Sequence, residues 1–461
     1  MAALDVTFPA ALLPTIQQGY LEREFMEGLR SINGYRKIAG RESFMNNVGE
    51  TITKTRAGLL RPNTTPINPA QLANDFDNGL TPNNWTIEQF SLTLRLYGDT
   101  MNLNLITEKI GIVSRFLRNS RNLGIQSSQS LDFLARDAMF NAYLSGNSRV
   151  TATLGAAGTS VHVDDLRGFV QVPGTGPLGT LAQTDPAAPQ NPSPTMLPVS
   201  ATNPLTVTIG SNTYSVVGYT VDASNASTTP LGVSGVLSLS TNVTVADGTL
   251  GNTVVSAYAP TIFRPNGRTN TSLLVPGDTL VAQNLIDAVY QLRSNGVPTI
   301  DGRYHVYGEP KSFRELFQDP EWQLLYRGAT ATNETYKNLM IADTLGLRFE
   351  ETTNVYNQTM SISGFPYNVR RLVVCGEDAL IEGDFAGSDA DDAGNPVAEM
   401  YDVDGVKHIV RAPLDRLQGN VAQSWRWIGG FCVPTDVTAN QSIIPTASNA
   451  VYKRGIVIEH L

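Results

Sequence analysis

Leu131-Asp132-Phe133-Leu134-Ala135-Arg136-Asp137-Ala138-Met139-Phe140-Asn141-Ala142-Tyr143-Leu144-Ser145-Gly146 is the stretch from which the fold can be read outward. Leu131, Leu134, Ala135, Ala138, Met139 and Ala142 recur at i, i+3, i+4, i+7, i+8 and i+11, which sets them on one face of a helix. Gly146 stands where a helix ends, because glycine enters the left-handed terminal conformation without a steric cost. Upstream, Leu105 to Leu117 is also compatible with helix, so a long helix is expected, interrupted near Asn122 and Gly124.

Further upstream the pattern changes period. Val48 to Thr55 and Phe90 to Leu96 alternate as strands do. Between them lie about thirty polar residues rich in Pro and Asn, including Pro62, Pro66, Pro69, Pro82 and Trp85. Two strands joined by so long a tip read as an extended β-hairpin that gains its order by lying on something else, a neighbouring subunit in the first instance. Before it, Ile16 to Leu29 is amphipathic, with Tyr20, Phe25 and Leu29 at helical spacing. An extended arm followed by a short helix is expected.

Downstream of Gly146 the composition shifts. From Gly168 to Phe263 the charged residues are Asp185, Asp222 and Asp247 alone. Leu205–Ile209 and Thr213–Val217 flank Gly210-Ser211-Asn212, a hairpin signal. Val233–Leu239, Val243–Val245 and Val254–Tyr258 complete a small all-β domain, entered through the Pro/Gly-rich segment 173–194. Helical pattern then returns at Leu280 to Leu292, stopped by Gly296 and Pro298. Tyr304–Tyr307 reads as a buried strand, and Pro310–Phe317 and Pro320–Tyr326 as short helices opened by proline. Leu372–Cys375 and Gln423–Phe431 read as further strands. Mixed pattern on both sides makes the β domain an insertion.

The chain has 461 residues, enough for about three ordinary domains. Only 16% of them are charged, against about 25% in a typical soluble domain. Together with the ordinary apolar share, this points to surface covered by partners. The net charge of −9 gives no bulk electrostatic case for nucleic-acid binding. Cys375 and Cys432 are too far apart and too few for a disulfide framework and suit a reducing compartment. Met1 to Asp5 shows no secretory signal. No apolar run reaches the ~20 residues of a membrane span.

Chemistry is sparse. His162, His305, His408 and His460 are scattered singly, without the spacing of a zinc site. No nucleophile elbow, Walker-type phosphate loop or dinucleotide fingerprint occurs. Asp384, Asp389, Asp391 and Asp392 approach a calcium-loop pattern, but Ala393 replaces the third ligand and Gly394 is displaced, so a solvated loop is expected. Lys109, Arg115, Arg118 and Arg121 put four positive charges in thirteen residues. That stripe suits nucleic acid, an acidic scaffold protein, or local and intersubunit salt bridges. Tyr214, Tyr219 and Tyr258 are the tyrosines through which the β domain could stack on sugars. The expectation is no catalytic, cofactor-binding or metal site, and no cofactor.

These pieces, in this order, resemble the major capsid proteins of tailed bacteriophages (Caudoviricetes), which share the HK97 fold. The resemblance is carried by a hairpin opening at Gly49-Glu50-Thr51 and closing near Leu96-Tyr97-Gly98-Asp99. It continues in a spine-type helix ending in Leu131 to Ala138, and in Tyr304 to Pro310 followed by Phe313, Leu316 and Asp319-Pro320-Glu321-Trp322. The strand of Trp425 and Trp427 closes the set. The implied fold is α+β, an HK97-type capsid fold with an inserted all-β domain like that of some short-tailed phage coat proteins. It divides the chain into an N-terminal arm (1–46), an extended hairpin loop (47–100), a peripheral domain with the spine helix (101–165) and the inserted β domain (166–272). A second peripheral helix (273–300), an axial domain (301–435) and a C-terminal segment returning to the peripheral domain (436–461) follow.

The resemblance implies a non-enzymatic subunit that self-assembles, as pentamers and hexamers, into an icosahedral shell enclosing double-stranded DNA without binding it specifically. Synthesis in the bacterial cytoplasm, residence in the virion, and scaffolding, portal and decoration proteins as partners come with it; a membrane does not. Some relatives weld subunits through a Lys–Asn bond. Lys54 lies in the hairpin, but no partner Asn aligns, and that chemistry is not carried over. The short arm points to a separate scaffolding protein. A nanocompartment shell or tail component is the alternative in the same class, and a carbohydrate-binding or hydrolytic protein the one outside it.

Overall fold

The computed structural model describes residues 19–30, 34–44, 51–57, 64, 66, 87–104, 112–173, 196–327, 345–362, 365–385, 398–413, 419–436 and 450–461. The fold is α+β, and the chain forms two compact units, each assembled from three separate stretches. The first takes 1–52, 91–138 and 380–432; the second takes 53–90, 139–379 and 433–461.

The first unit is built on Asn420–Cys432, a strand whose inward positions Val421, Gln423, Trp425 and Trp427 are buried in alternation. Arg95–Asn104 pairs antiparallel along one of its edges. On the other edge, Val406–Arg411 takes residues 422–426 and Ile381–Phe385 takes 429–432. Ala398–Val403 and Gly40–Phe44 complete this six-stranded sheet, the latter parallel to Ile381–Phe385. Two helices supply its apolar cover. Leu21, Phe25 and Leu29 form the buried stripe of Tyr20–Leu29, one position away from the expected one, since Tyr20 is half exposed. Phe116, Leu123 and Leu131 face inward from the long helix Ile112–Tyr143.

That helix runs 32 residues without the interruption expected near Asn122 and Gly124. Gly124 is there for contact rather than for a break. A Cβ on it would lie 2.4 Å from the carbonyl oxygen of Phe25, and one on Gly28 would lie 2.4 Å from that of Arg121. Ser120 Oγ donates to the Leu21 carbonyl at 3.0 Å beside them. The helices therefore cross backbone to backbone, a separation only glycine permits. Arg36 and Glu382, both buried, add a two-point ion pair with Nη2 2.6 Å from Oε1, and Asp132 Oδ1 accepts the N–H groups of Gly34 and Arg36.

Among the described residues the second unit holds two six-stranded sheets, besides the small pair Gln171–Pro173 with Met196–Pro198. The insertion is an antiparallel sheet ordered Asn147–Arg149, Thr253–Ser256, Leu205–Ile209, Asn212–Val221, Gly235–Val243 and Gly158–Val163. It starts at Asn147, not at the expected 166, because the short polar strands 147–149 and 158–163 form its two edges. The strand expected at Val243–Val245 is the end of Gly235–Val243, followed by a turn. Gly146 ends the long helix region at φ 72°, as the sequence implied.

The other sheet is mixed, ordered Ile262–Phe263, Gly455–His460, Phe365–Cys375, Tyr304–Gly308 and Leu347–Glu351, with Gln358–Ile362 also paired to Phe365–Cys375. Helices Ala282–Ser294, Pro310–Leu316 and Pro320–Arg327 bury Leu285, Leu292, Phe313, Leu316 and Trp322 against it. The helix assigned to a peripheral piece (273–300) packs on this sheet. The span 301–435 divides, its strands up to Cys375 joining this sheet and those from Ile381 joining the first unit. Gly455–His460 pairs antiparallel with Phe365–Cys375. Strand partners hundreds of residues apart leave no local trace in a sequence.

The close helix crossing sets the first test. Gly124→Val is expected to destabilise the protein by about 2–3 kcal/mol in chemical denaturation, since the inserted methyls meet backbone that cannot rotate away. Gly155→Ala, where a Cβ meets nothing within 4 Å, is expected to unfold as the parent does.

Candidate functional site

Ser312, His460 and Glu315 come together in the second unit. His460 Nε2 lies 2.8 Å from Ser312 Oγ, and its Nδ1 lies 2.9 Å from Glu315 Oε2. This is the residue order of an acyl-transfer relay. Ser312 and His460 have no exposed surface, so a substrate carbonyl has no path to the hydroxyl. The arrangement fastens Gly455–His460 to the helix Pro310–Leu316. Burial alone would raise the Glu315 carboxyl, but His460, the Leu280 N–H and Arg370 together hold it below its ordinary value.

A second buried cluster surrounds Glu459. Oε1 accepts from Arg371 Nε at 2.8 Å; Oε2 accepts from Arg264 Nε at 2.7 Å and from Thr271 Oγ1 at 2.8 Å. Arg371 Nη2 donates to Gln358 Oε1 at 2.6 Å. Desolvation opposes ionisation of Glu459, yet the two guanidiniums outweigh it and hold the carboxyl at about 2. The cluster joins Ile262–Phe263 and its following turn to Phe365–Cys375 and Gly455–His460. Spacings of 195 and 88 residues hid it from the sequence.

The other histidines stay apart. His162 is exposed on the insertion, and His305 lies in a buried strand. His408 stacks on Phe25 at 4.6 Å in the first unit, and burial lowers it to about 4. Among the described residues no group of three or more His, Cys, Asp or Glu could hold a metal ion. Asp384 belongs to the strand Ile381–Phe385, while Asp389, Asp391 and Asp392 lie outside the described residues.

Of the basic stripe, Arg115, Arg118 and Arg121 are exposed on the long helix, and Lys109 lies outside the described residues. Arg121 pairs with Glu27 at 3.4 Å. The tyrosines of the insertion do not form a stacking platform. Tyr214 is buried, its hydroxyl donating to Asp247 Oδ2 at 2.7 Å; Tyr258 packs on the β core, and Tyr219 alone is well exposed.

The chain also carries a two-stranded ribbon. Thr51–Ala57 and Ile87–Thr93 pair as a separate two-stranded sheet, leading directly into Arg95–Asn104 of the first unit. The tip between these strands and the N-terminal arm lie almost wholly outside the described residues. Exposed apolar side chains also mark the second unit, with Tyr290 72% and Ile286 39% exposed one helical turn apart on Ala282–Ser294.

Two pH dependences follow from the buried groups. His408 is lowered when folded, so its contribution is complete above about pH 6.5 and is lost as pH falls toward 4, a change of up to about 3 kcal/mol. His408→Phe is expected to flatten stability measured by denaturant titration across that window; an unchanged slope would contradict the assignment. Glu459 is lowered too, so its contribution holds above about pH 4.5 and is lost toward 2. Glu459→Gln leaves two buried guanidiniums without their carboxylate and is expected to lose on the order of 3–5 kcal/mol at neutral pH, a gap that narrows in acid.

No protein-family model and no curated protein matches the chain. Solved structures that resemble it include the capsid of Ralstonia phage GP4, with 13% identity, 92% of this chain and 87% of that chain covered and a TM-score of 0.46. The capsid structure of the cyanophage P-SCSP1u is similar at 10% identity, 94% and 90% coverage and a TM-score of 0.47. The mature capsid asymmetric unit of bacteriophage PhiM1 is similar at 8% identity, 93% and 87% coverage and a TM-score of 0.43.

Proposed function

We propose that the chain is the major capsid protein of a tailed bacteriophage, assembling as pentamers and hexamers into the icosahedral shell around double-stranded DNA. One observation carries this reading, the order of elements along the chain. A two-stranded ribbon feeds a sheet, a 32-residue helix follows, an antiparallel β sheet is inserted after it, and a mixed sheet with short proline-opened helices comes next. A 13-residue strand bearing Trp425 and Trp427 then closes the first unit. A ribbon of two strands has too little apolar surface to be stable alone, so it needs a surface to lie on. Repeated contacts of that kind, related by rotation, close into rings and shells.

The role is structural rather than catalytic. The relay-like Ser312–His460–Glu315 set is sealed, which supports that reading. In this proposal the protein resides in the virion after synthesis in the host cytoplasm, and it works with scaffolding, portal and decoration proteins. It encloses DNA without specific binding, in keeping with its net charge of −9. The insertion adds contact surface between capsomers.

Replacing residues 58–86 by a short Gly/Ser linker separates assembly from folding. Sedimentation velocity is expected to show large particles or capsomers for the parent, and a folded subunit of roughly 47 kDa for the variant, slightly below the parent's 49.8 kDa. A parent that stays monomeric, or a variant that assembles as the parent does, overturns the proposal.

A further inference from the structure

A small polar cavity lies within the second unit, where the insertion meets the mixed sheet. Its volume is about 30 Å³, and Arg149, Arg264, Arg371, Asp164, Asp165 and Glu459 contribute to its wall. Cavities above roughly 10–15 Å³ can hold a water-sized species when polar partners surround them.

The charges there do not balance. Asp165 is held by Arg167, whose Nη2 is 2.6 Å from Oδ2. With that partner included, four guanidiniums face three carboxylates. The carboxylates are also saturated with donors. Both oxygens of Glu459 are engaged, and Asp164 accepts from Thr228 N, Thr228 Oγ1 and Thr229 Oγ1. Arg371 is 3% exposed, and its Nη1 has no hydrogen-bond partner among the described residues. Ser148 Oγ, also on the wall, accepts the Asp165 N–H, which leaves its own proton available. A buried guanidinium donor without an acceptor is costly, more so than a neutral one.

We infer that this cavity binds a small monovalent anion of the size of chloride, taken up by Arg371 Nη1 and the Ser148 hydroxyl. Water could satisfy one donor, but it would leave the excess positive charge uncompensated. The route in is the adjoining open groove of about 560 Å³, which shares Arg149 and Asp164 with the cavity. The bound anion would tie the insertion to the mixed sheet, since Ser148 belongs to the first and Arg371 to the second.

Thermal unfolding of the purified full-length protein in chloride, with gluconate as the replacement anion at fixed ionic strength, tests this. A saturable rise in Tm with chloride is expected, retained by a variant at the exposed Arg314 (Arg314→Gln) and lost in Arg371→Met. Equal melting in both anions overturns the inference. Should Arg371→Met fail to fold, chloride NMR linewidths on the parent protein decide. Saturable broadening displaced by bromide supports the site, and linewidths that bromide leaves unchanged refute it.

Discussion

Glu459 is ionised in the interior of the second unit, and much of that unit is arranged to keep it so. A carboxylate removed from water costs several kcal/mol unless its oxygens are fully bonded. Arg264 and Thr271 meet that need from the segment after Ile262–Phe263, and Arg371 from the strand Phe365–Cys375. Each is then fixed in turn, Arg371 by Gln358 and Arg264 by the Thr269 carbonyl. The strand Gly455–His460 is buried at every position, so its two polar side chains, Glu459 and His460, select the register in which it inserts. A slip by one residue would take Glu459 off Arg264 and Arg371 and His460 off Ser312 and Glu315.

The first unit solves the same problem with Arg36 and Glu382, which lie 346 residues apart and bring the strand Gly40–Phe44 alongside Ile381–Phe385. Its other constraint is steric, since the crossing at Gly28 and Gly124 lets the long helix approach Tyr20–Leu29 closely enough to cover Trp425 and Trp427. Both units thus consist of distant stretches locked by a few buried polar contacts around ordinary apolar cores. A subunit built this way can hold its shape while a ribbon such as Thr51–Ala57 with Ile87–Thr93 engages a neighbour.

Local periodicity made much of this legible in the sequence. The helices at 282–294, 310–316 and 320–327 and the hairpin around Gly210 lie where their spacing and turn residues set them. Long-range pairing was not legible. Ile381–Phe385 and Phe365–Cys375 follow each other closely in the chain, and nothing local shows that they belong to different sheets. Gly124 read as a break because its reason for being glycine is Phe25, 99 positions away along the chain. His460 meets Ser312 and Glu315 only once the mixed sheet has formed, so its neighbours have no trace in the local sequence. The two-stranded ribbon Thr51–Ala57 with Ile87–Thr93 was legible in the strand alternation on either side of a long polar stretch.

In the proposed role, copies of this chain build a closed shell. Negative-stain imaging of the purified, unaltered protein tests it most directly. Closed icosahedral particles or five- and six-membered capsomer rings are expected. A uniform field of stable single subunits, unchanged by concentration or crowding, would contradict it.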